Sequence, residues 1–278
     1  MSEPDRYIPG VPCWIDTSQP DPEAATAFYG GLFGWEFEQV MPPGSPGSYH
    51  VARLRGGDVA AIGSQPEGAA QEPSWDTYVW VQDADATAAK VRAAGGTVVQ
   101  EPYDVGPFGR TAVFADPAGA TFCVWQAGSH RGAQVVNEHG SLNFNNLHTR
   151  DVEGAEAFYG AVFGWELLAV GDARMWALAE YGDFLEQRRP GMREEMAAVG
   201  APERFEDVVA SLVPGTDDDG GASDHWGVTF GVDDADLIAE RGGRVLVAPF
   251  DAPWVRATVL ADPQGATFTA TKFVPENR

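Results

Sequence analysis

The chain has little cysteine, few cations and no long apolar run. Two cysteines in 278 residues cannot build a disulfide framework. Cys13 and Cys123 each sit in a strand-like apolar stretch, where a thiol packs as a small apolar side chain; a redox pair or a metal ligand is the alternative. Lys and Arg number 18 against 41 Asp and Glu, and the formal charge of −23 repels phosphate backbones and anionic lipid. Nucleic-acid and membrane partners are therefore not expected. No run approaches the roughly 20 apolar residues of a membrane span, and the opening MSEPDRYIPG has no signal-peptide core. These absences predict a cytoplasmic protein.

What is present is a duplication. AFYGGLFGWEFE at 27–38 returns as AFYGAVFGWELL at 157–168, DPAGATF at 116–122 returns as DPQGATF at 262–268, and a VQDADA segment near Val81 returns as VDDADL near Val232. A repeat of this order sets the fold before any single element does. It predicts an N-terminal domain over 1–129, a polar linker over 130–140 and a C-terminal domain over 141–278.

Within the first copy, VPCWIDT at 11–17 reads as a strand. Asp21-Pro22-Glu23 then gives a helix N-cap, a proline at the first helical position and an acid in the first turn. Ala24, Ala25, Phe28 and Leu32 keep helical spacing, and Gly34 ends the helix. Strands follow at 35–40, 49–54 and 59–63, the last two joined through Gly56-Gly57-Asp58. A second module repeats the pattern: strand 75–81, a helix from Asp83 closed at Gly95-Gly96, and strands at 97–100, 110–115 and 121–126. The second copy starts with strand 142–148 and helix 153–163. The class is α+β, four βαβββ modules forming two tandem domains.

The copies differ in two places. From Trp35 to Trp75 is 40 residues and from Trp165 to Trp226 is 61, so the C-terminal domain carries about 21 more. They form an insertion at about 183–206, between strands 174–181 and 208–214, with two short helical patterns broken at Pro190-Gly191. A lid, a dimer contact and a surface ornament are the open readings. The helix after Asp236 is also about one turn shorter than its counterpart after Asp85. Finally, PGTDDDGGASD at 214–224 reads as an acidic loop lacking the later glutamate of a calcium loop.

FYG..FGW on a helix, DP.GATF before a closing strand and paired βαβββ modules together resemble the vicinal oxygen chelate superfamily. That superfamily includes glyoxalase I, extradiol dioxygenases and bleomycin- and fosfomycin-resistance proteins. The chain is most similar to its tandem two-domain actinobacterial members, often labelled glyoxalase-like or hydroxylase. The resemblance covers nearly everything but the insertion, and it is specific for fold rather than activity. It implies concave, open sheets with a ligand inside and, in the enzymes, a divalent metal held by His and Glu side chains. Carried over by position, those ligands fall on Trp14, Asp76 and Cys123 in the first domain and on Phe144, Gly227 and Thr269 in the second. None is His or Glu, so no metal and no cofactor are expected. His50, His130, His139, His148 and His225 do not pair at ligand spacing.

Strand alternation decides which side chains share the concave face. In the first domain they are Trp14, Asp16, Asp76, Tyr78, Trp80, Cys123 and Trp125, an aromatic lining with two carboxylates suited to a flat aromatic or cationic ligand. The same aromatics are equally read as a filled core. In the second domain they are Phe144, Asn146, His148, Gly227, Thr229, Thr269 and Thr271, smaller and more polar. Arg110 and Arg256 recur on equivalent strands, either paired with the nearby Asp-Pro turn or facing an anion.

Asp16, Asp76 and His148 are the candidate acid-base groups. Three functions fit: metal-independent binding of a small, partly aromatic metabolite or antibiotic for sequestration or carriage; a secondary-metabolism enzyme of hydroxylase, lyase or cyclase type using Asp/His acid-base chemistry; or an interaction protein with vestigial cavities. The expected partner is a small molecule, and the protein itself a monomer or homodimer.

Overall fold

The computed structural model describes residues 6–65, 68, 72–171, 173–215 and 223–277. Residues 216–222 of the acidic loop and most of 66–71 lie outside them. The first module is β1 (Pro12–Gln19), α1 (Pro22–Phe33), β2 (Glu36–Gln39), β3 (Tyr49–Leu54) and β4 (Gly57–Ser64). The second is β5 (Trp75–Trp80), α2 (Ala84–Ala93), β6 (Thr97–Val105), β7 (Gly109–Ala115) and β8 (Thr121–Ala127). The third comprises β9 (Ser141–Thr149), α3 (Val152–Phe163), β10 (Glu166–Val170), β11 (Ala173–Ala177), α4 (Tyr181–Arg188), α5 (Met192–Ala198) and β12 (Val208–Pro214). The fourth comprises β13 (His225–Gly231), α6 (Ala235–Arg241), β14 (Arg244–Ala252), β15 (Val255–Ala261) and β16 (Thr267–Phe273).

These strands form two eight-stranded sheets with the same plan, β2-β3-β4-β1-β5-β8-β7-β6 and β10-β11-β12-β9-β13-β16-β15-β14. In each module the first strand lies parallel to the last, as β1 with β4 and β5 with β8, and the other pairings are antiparallel. The α+β class and the four βαβββ modules read from the repeat are what the chain forms.

By contact the chain divides differently, into two compact units. One gathers 14–76, 132–144 and 227–278, uniting the first and fourth modules; the other gathers 1–13, 77–131 and 145–226, uniting the second and third. The repeated motifs explain this pairing. In the first unit, the Trp75 indole donates to Tyr29 Oη at 3.2 Å, and that hydroxyl donates to Asp262 Oδ2 at 3.0 Å. Gln19 donates to the same oxygen at 2.9 Å, while Asp262 Oδ1 accepts the N–H groups of Gln264, Gly265 and Ala266. In the second unit Trp226 donates to Tyr159 and Tyr159 to Asp116 Oδ2, at 2.9 and 3.0 Å, with Ala118 and Ala120 N–H on the other oxygen. The tyrosine of FYG thus holds the aspartate of DP.GATF from another module. Burial makes each of these bonds obligatory: both tyrosines are fully buried and the aspartates are 3–4% exposed.

The local chemistry of the elements follows the sequence closely. Asp21 and Asp151 cap α1 and α3 by accepting from the N–H groups of Ala24 and Gly154, and Gly34 and Gly164 end them in the left-handed conformation. Helix α6 has seven residues against ten for α2, the expected missing turn.

Several boundaries differ from expectation, among them β6, which runs to Val105 rather than ending at Gln100. The β3–β4 turn is Arg55-Gly56, with φ of 52° and 82°, because Leu54 and Gly57 already pair. The strand expected over 174–181 ends at Ala177, since Tyr181 begins α4 and Gly182 N–H is taken by the buried Asp207. The insertion forms α4 and α5, broken at Pro190-Gly191 as expected. It is fastened by ion pairs: Arg193 to Asp183 and Glu206, and Arg204 to Glu166 and Asp207. No helix among the described residues is long and apolar enough to cross a membrane.

Replacing Tyr29 or Tyr159 by Phe removes one donor from a buried carboxylate and the acceptor of a buried indole N–H. Each variant is expected to lose about 1–3 kcal/mol in urea denaturation, and Tyr29→Phe combined with Asp262→Asn is expected to cost less than the sum of the two.

Candidate functional site

Strand β1 is buried on both faces, an unusual setting for an acid. Asp16 is nevertheless only 6% exposed. Its Oδ2 accepts a 2.7 Å hydrogen bond from the Tyr49 hydroxyl, which in turn accepts from Trp14 Nε1 at 3.2 Å. Tyr49 lies on β3, two strands away; it is in register with Gly63 of β4, two residues along from Ala61, the register partner of Asp16. A Cβ on Gly63 would meet Tyr49 Cδ2 at 3.3 Å, so the bare glycine is what lets the ring lie across β4.

Asp76, on β5, is half-buried. Burial first, and the nearby Asp16 charge second, raise its carboxyl from 3.8 to about 7. Trp14, Asp16, Tyr49 and Asp76 all belong to the first unit. Tyr49 was not visible as a site residue in the sequence, where the only hint was a glycine inside a strand.

The remaining predicted aromatics sit in the second unit, and most are closed in. Trp80 is 7% exposed, with Tyr7 against it at 5.9 Å between centroids. Trp125 is 6% exposed, meets Tyr78 edge-on at 6.5 Å and donates its indole N–H to the His130 carbonyl. Cys123 is buried opposite Tyr78 in the β5–β8 register. Tyr78 alone of this group is half-buried. These side chains read as packed interior rather than an open wall. Cys13 is likewise inert, its thiol pushed well up by burial.

In the second sheet, Phe144 is half-buried, and Thr229 pairs in register with Thr269. Asn146 accepts from the Ser211 hydroxyl at 2.6 Å. His148 stacks on His225 with centroids 4.6 Å apart and rings 2° from parallel, a contact that their spacing along the chain does not reveal. Asn146 and Gly227 stand where the first sheet has Asp16 and Asp76, so the carboxylate pair exists in one copy only.

Arg110 and Arg256 are both engaged by carboxylates of their own modules. Arg110 is held by both oxygens of Asp85 and by Asp104, and Arg256 by both oxygens of Asp236 and by Asp251. Neither pairs with an Asp-Pro turn. Each ties the first turn of a helix to the outer hairpin of its module, and Arg256 holds the Asp236 carboxyl below its usual range.

Residues 14–125 match the glyoxalase-like domain family, and residues 141–269 the glyoxalase/bleomycin resistance protein/dioxygenase superfamily. Among curated proteins, "Putative glyoxylase CFP32" of Mycobacterium bovis is 37% identical over 296 aligned residues, covering 99% of this chain and all of that one. The chain belongs to the glyoxalase superfamily. "Anthracycline biosynthesis protein DauV" of Streptomyces sp. strain C5 is 34% identical, over 96% of this chain and 95% of that protein. The same fold is found in the Mn(II)-bound glyoxalase of Novosphingobium aromaticivorans, with TM-score 0.59, 17% identity and coverage of 95% and 82% of the two chains. It recurs in the 2,3-dioxygenase LapB of Pseudomonas sp. KL28, with TM-score 0.60, 15% identity and coverage of 96% and 93%.

The metal that this superfamily implies does not fit the donors present. Trp14 offers an indole N–H, which only donates and is directed at Tyr49; Phe144 and Gly227 offer no donor atom at all. Among the described residues no three His, Cys, Asp or Glu side chains are grouped to hold an ion.

Because Asp76 is raised in the folded protein, its protonated form stabilises the fold. That stability is complete below about pH 4 and is lost as pH rises through about 7. Asp76→Asn is expected to flatten the stability profile between these values. Above pH 8 it should exceed the wild type by on the order of 3 kcal/mol in urea melts, which a profile parallel to wild type would refute.

Proposed function

We propose that this protein binds a small, partly aromatic secondary metabolite without a metal and moves a proton on it through Asp16 and Asp76. One arrangement carries the reading: a buried carboxylate on β1, bonded by Tyr49, with a second on the neighbouring strand β5 that burial and the Asp16 charge raise to about 7. A carboxyl raised to near neutrality can hold a proton at the pH where a hydrogen-bonded neighbour accepts one, and general acid-base catalysis requires such an acid and base. The tyrosine and tryptophan beside them favour a ligand with a flat ring system. Full-length similarity to an anthracycline biosynthesis protein supports a polycyclic aromatic substrate, and the poor metal donor set supports proton transfer over Lewis-acid chemistry.

A second reading, carriage without turnover, is favoured by the lack of a metal-donor group among the described residues. An anthracyclinone aglycone separates the two. Saturable quenching of tryptophan fluorescence reports binding, and deuterium uptake at an acidic carbon of the aglycone in D2O at pH 7 reports proton transfer. Exchange is expected in the wild type and should fall by about 100-fold or more in Asp16→Asn and Asp76→Asn with quenching retained. Quenching with no exchange selects carriage, and the absence of quenching refutes both.

A further inference from the structure

Asp16 and Asp76 stand on the neighbouring strands β1 and β5, and the Asp16 charge disfavours ionisation of Asp76. The hydrogen bonds around Asp16 bear on which of the two carries a proton. An indole N–H is a donor and never an acceptor, so in the Trp14–Tyr49 contact the tyrosine oxygen must accept. Tyr49 has a single hydroxyl hydrogen, and with its oxygen receiving the indole that hydrogen lies toward Asp16 Oδ2, 2.7 Å away. Asp16 Oδ2 is therefore an acceptor. We propose that Tyr49 is a positioning residue that fixes Asp16 as the charged member of the pair and leaves the shared proton on Asp76, through a one-way relay from Trp14 to Tyr49 to Asp16.

The relay divides the labour of the proton-transfer reading, on which it rests. Asp16 becomes the base and Asp76 the acid. A hydrogen bond given to a carboxylate favours its ionised form, while Asp76 has no such donor among its described contacts and is disfavoured as an anion by burial and by the Asp16 charge. The titratable side chains in play are the two carboxyls, on β1 and β5, and the Tyr49 phenol on β3. The backbone favours the arrangement: Ser18, Gly63 and Tyr49 stand abreast on β1, β4 and β3, and a Cβ in the middle would crowd the ring at 3.3 Å. The second sheet has Asn146 in place of Asp16, held by Ser211 rather than by a tyrosine, so the relay is confined to one copy.

Carboxyl-carbon NMR of protein labelled at aspartate, titrated without any substrate, tests the assignment. In the wild type the step near neutral pH is expected on the Asp76 carbon, identified by its loss in Asp76→Asn, with Asp16 keeping its ionised shift through that range. In Tyr49→Phe the neutral step should spread over both carbons, and the acidic step of the pair should rise by about one pH unit. Gly63→Ala, which pushes the ring off β4 while keeping the phenol, should move both in the same direction by less. A neutral step on the Asp16 carbon of the wild type, or an unchanged profile in both variants, overturns the proposal. Deuterium exchange that fails while these titrations hold would remove the catalytic reading and leave the proton assignment standing.

Discussion

A buried tyrosine hydroxyl bonded to a buried aspartate is the constraint on which the rest of this structure depends. It occurs twice, as Tyr29 with Asp262 and as Tyr159 with Asp116, and each time the two residues come from different modules. Leaving such a carboxylate unpaired in a dry interior costs far more than the bond contributes, so the pairing of modules one with four and two with three is enforced rather than merely favoured. The aspartate also collects the N–H groups of its own Asp-Pro turn, and glycines at φ of 99° and 109°, Gly119 and Gly265, let that turn close. Helix, turn and strand are thereby fixed by one polar cluster inside an aromatic shell.

This clamp explains how two copies can share a scaffold and differ in chemistry. Trp75 and Asp76 are neighbours on β5 and point to opposite faces. The tryptophan completes the clamp, and the aspartate stands with Asp16. In the other copy Trp226 keeps the first role, while Gly227 has no side chain for the second. Period-two alternation separates structural from chemical positions residue by residue, so one face can drift without loosening the other.

The electrostatics of the pair follow from the same confinement. Two carboxyls kept near each other and partly away from water cannot both ionise cheaply, and the Tyr49 hydroxyl breaks the symmetry between them. The six positions that the resemblance assigns to metal ligands hold Trp14, Asp76, Cys123, Phe144, Gly227 and Thr269, of which only Asp76 and Cys123 resemble metal donors.

Much of the fold was legible in the amino-acid order. The doubled FYG..FGW and DP.GATF motifs, the Asp21 cap, the terminal Gly34 and the broken helices of the insertion are local chemistry, set by a few neighbouring residues. Alternation also placed Asp16 and Asp76 among the site candidates. What the sequence alone did not determine depends on residues far apart along the chain: that the repeated tyrosine reaches the aspartate of another module, that Arg110 and Arg256 are held by carboxylates of their own modules, that His148 meets His225, and that Tyr49 crosses Gly63 to reach Asp16. Spacing encodes which face a side chain takes; only the packed sheets decide which distant partner waits there, because strand register and burial are set by the whole chain at once.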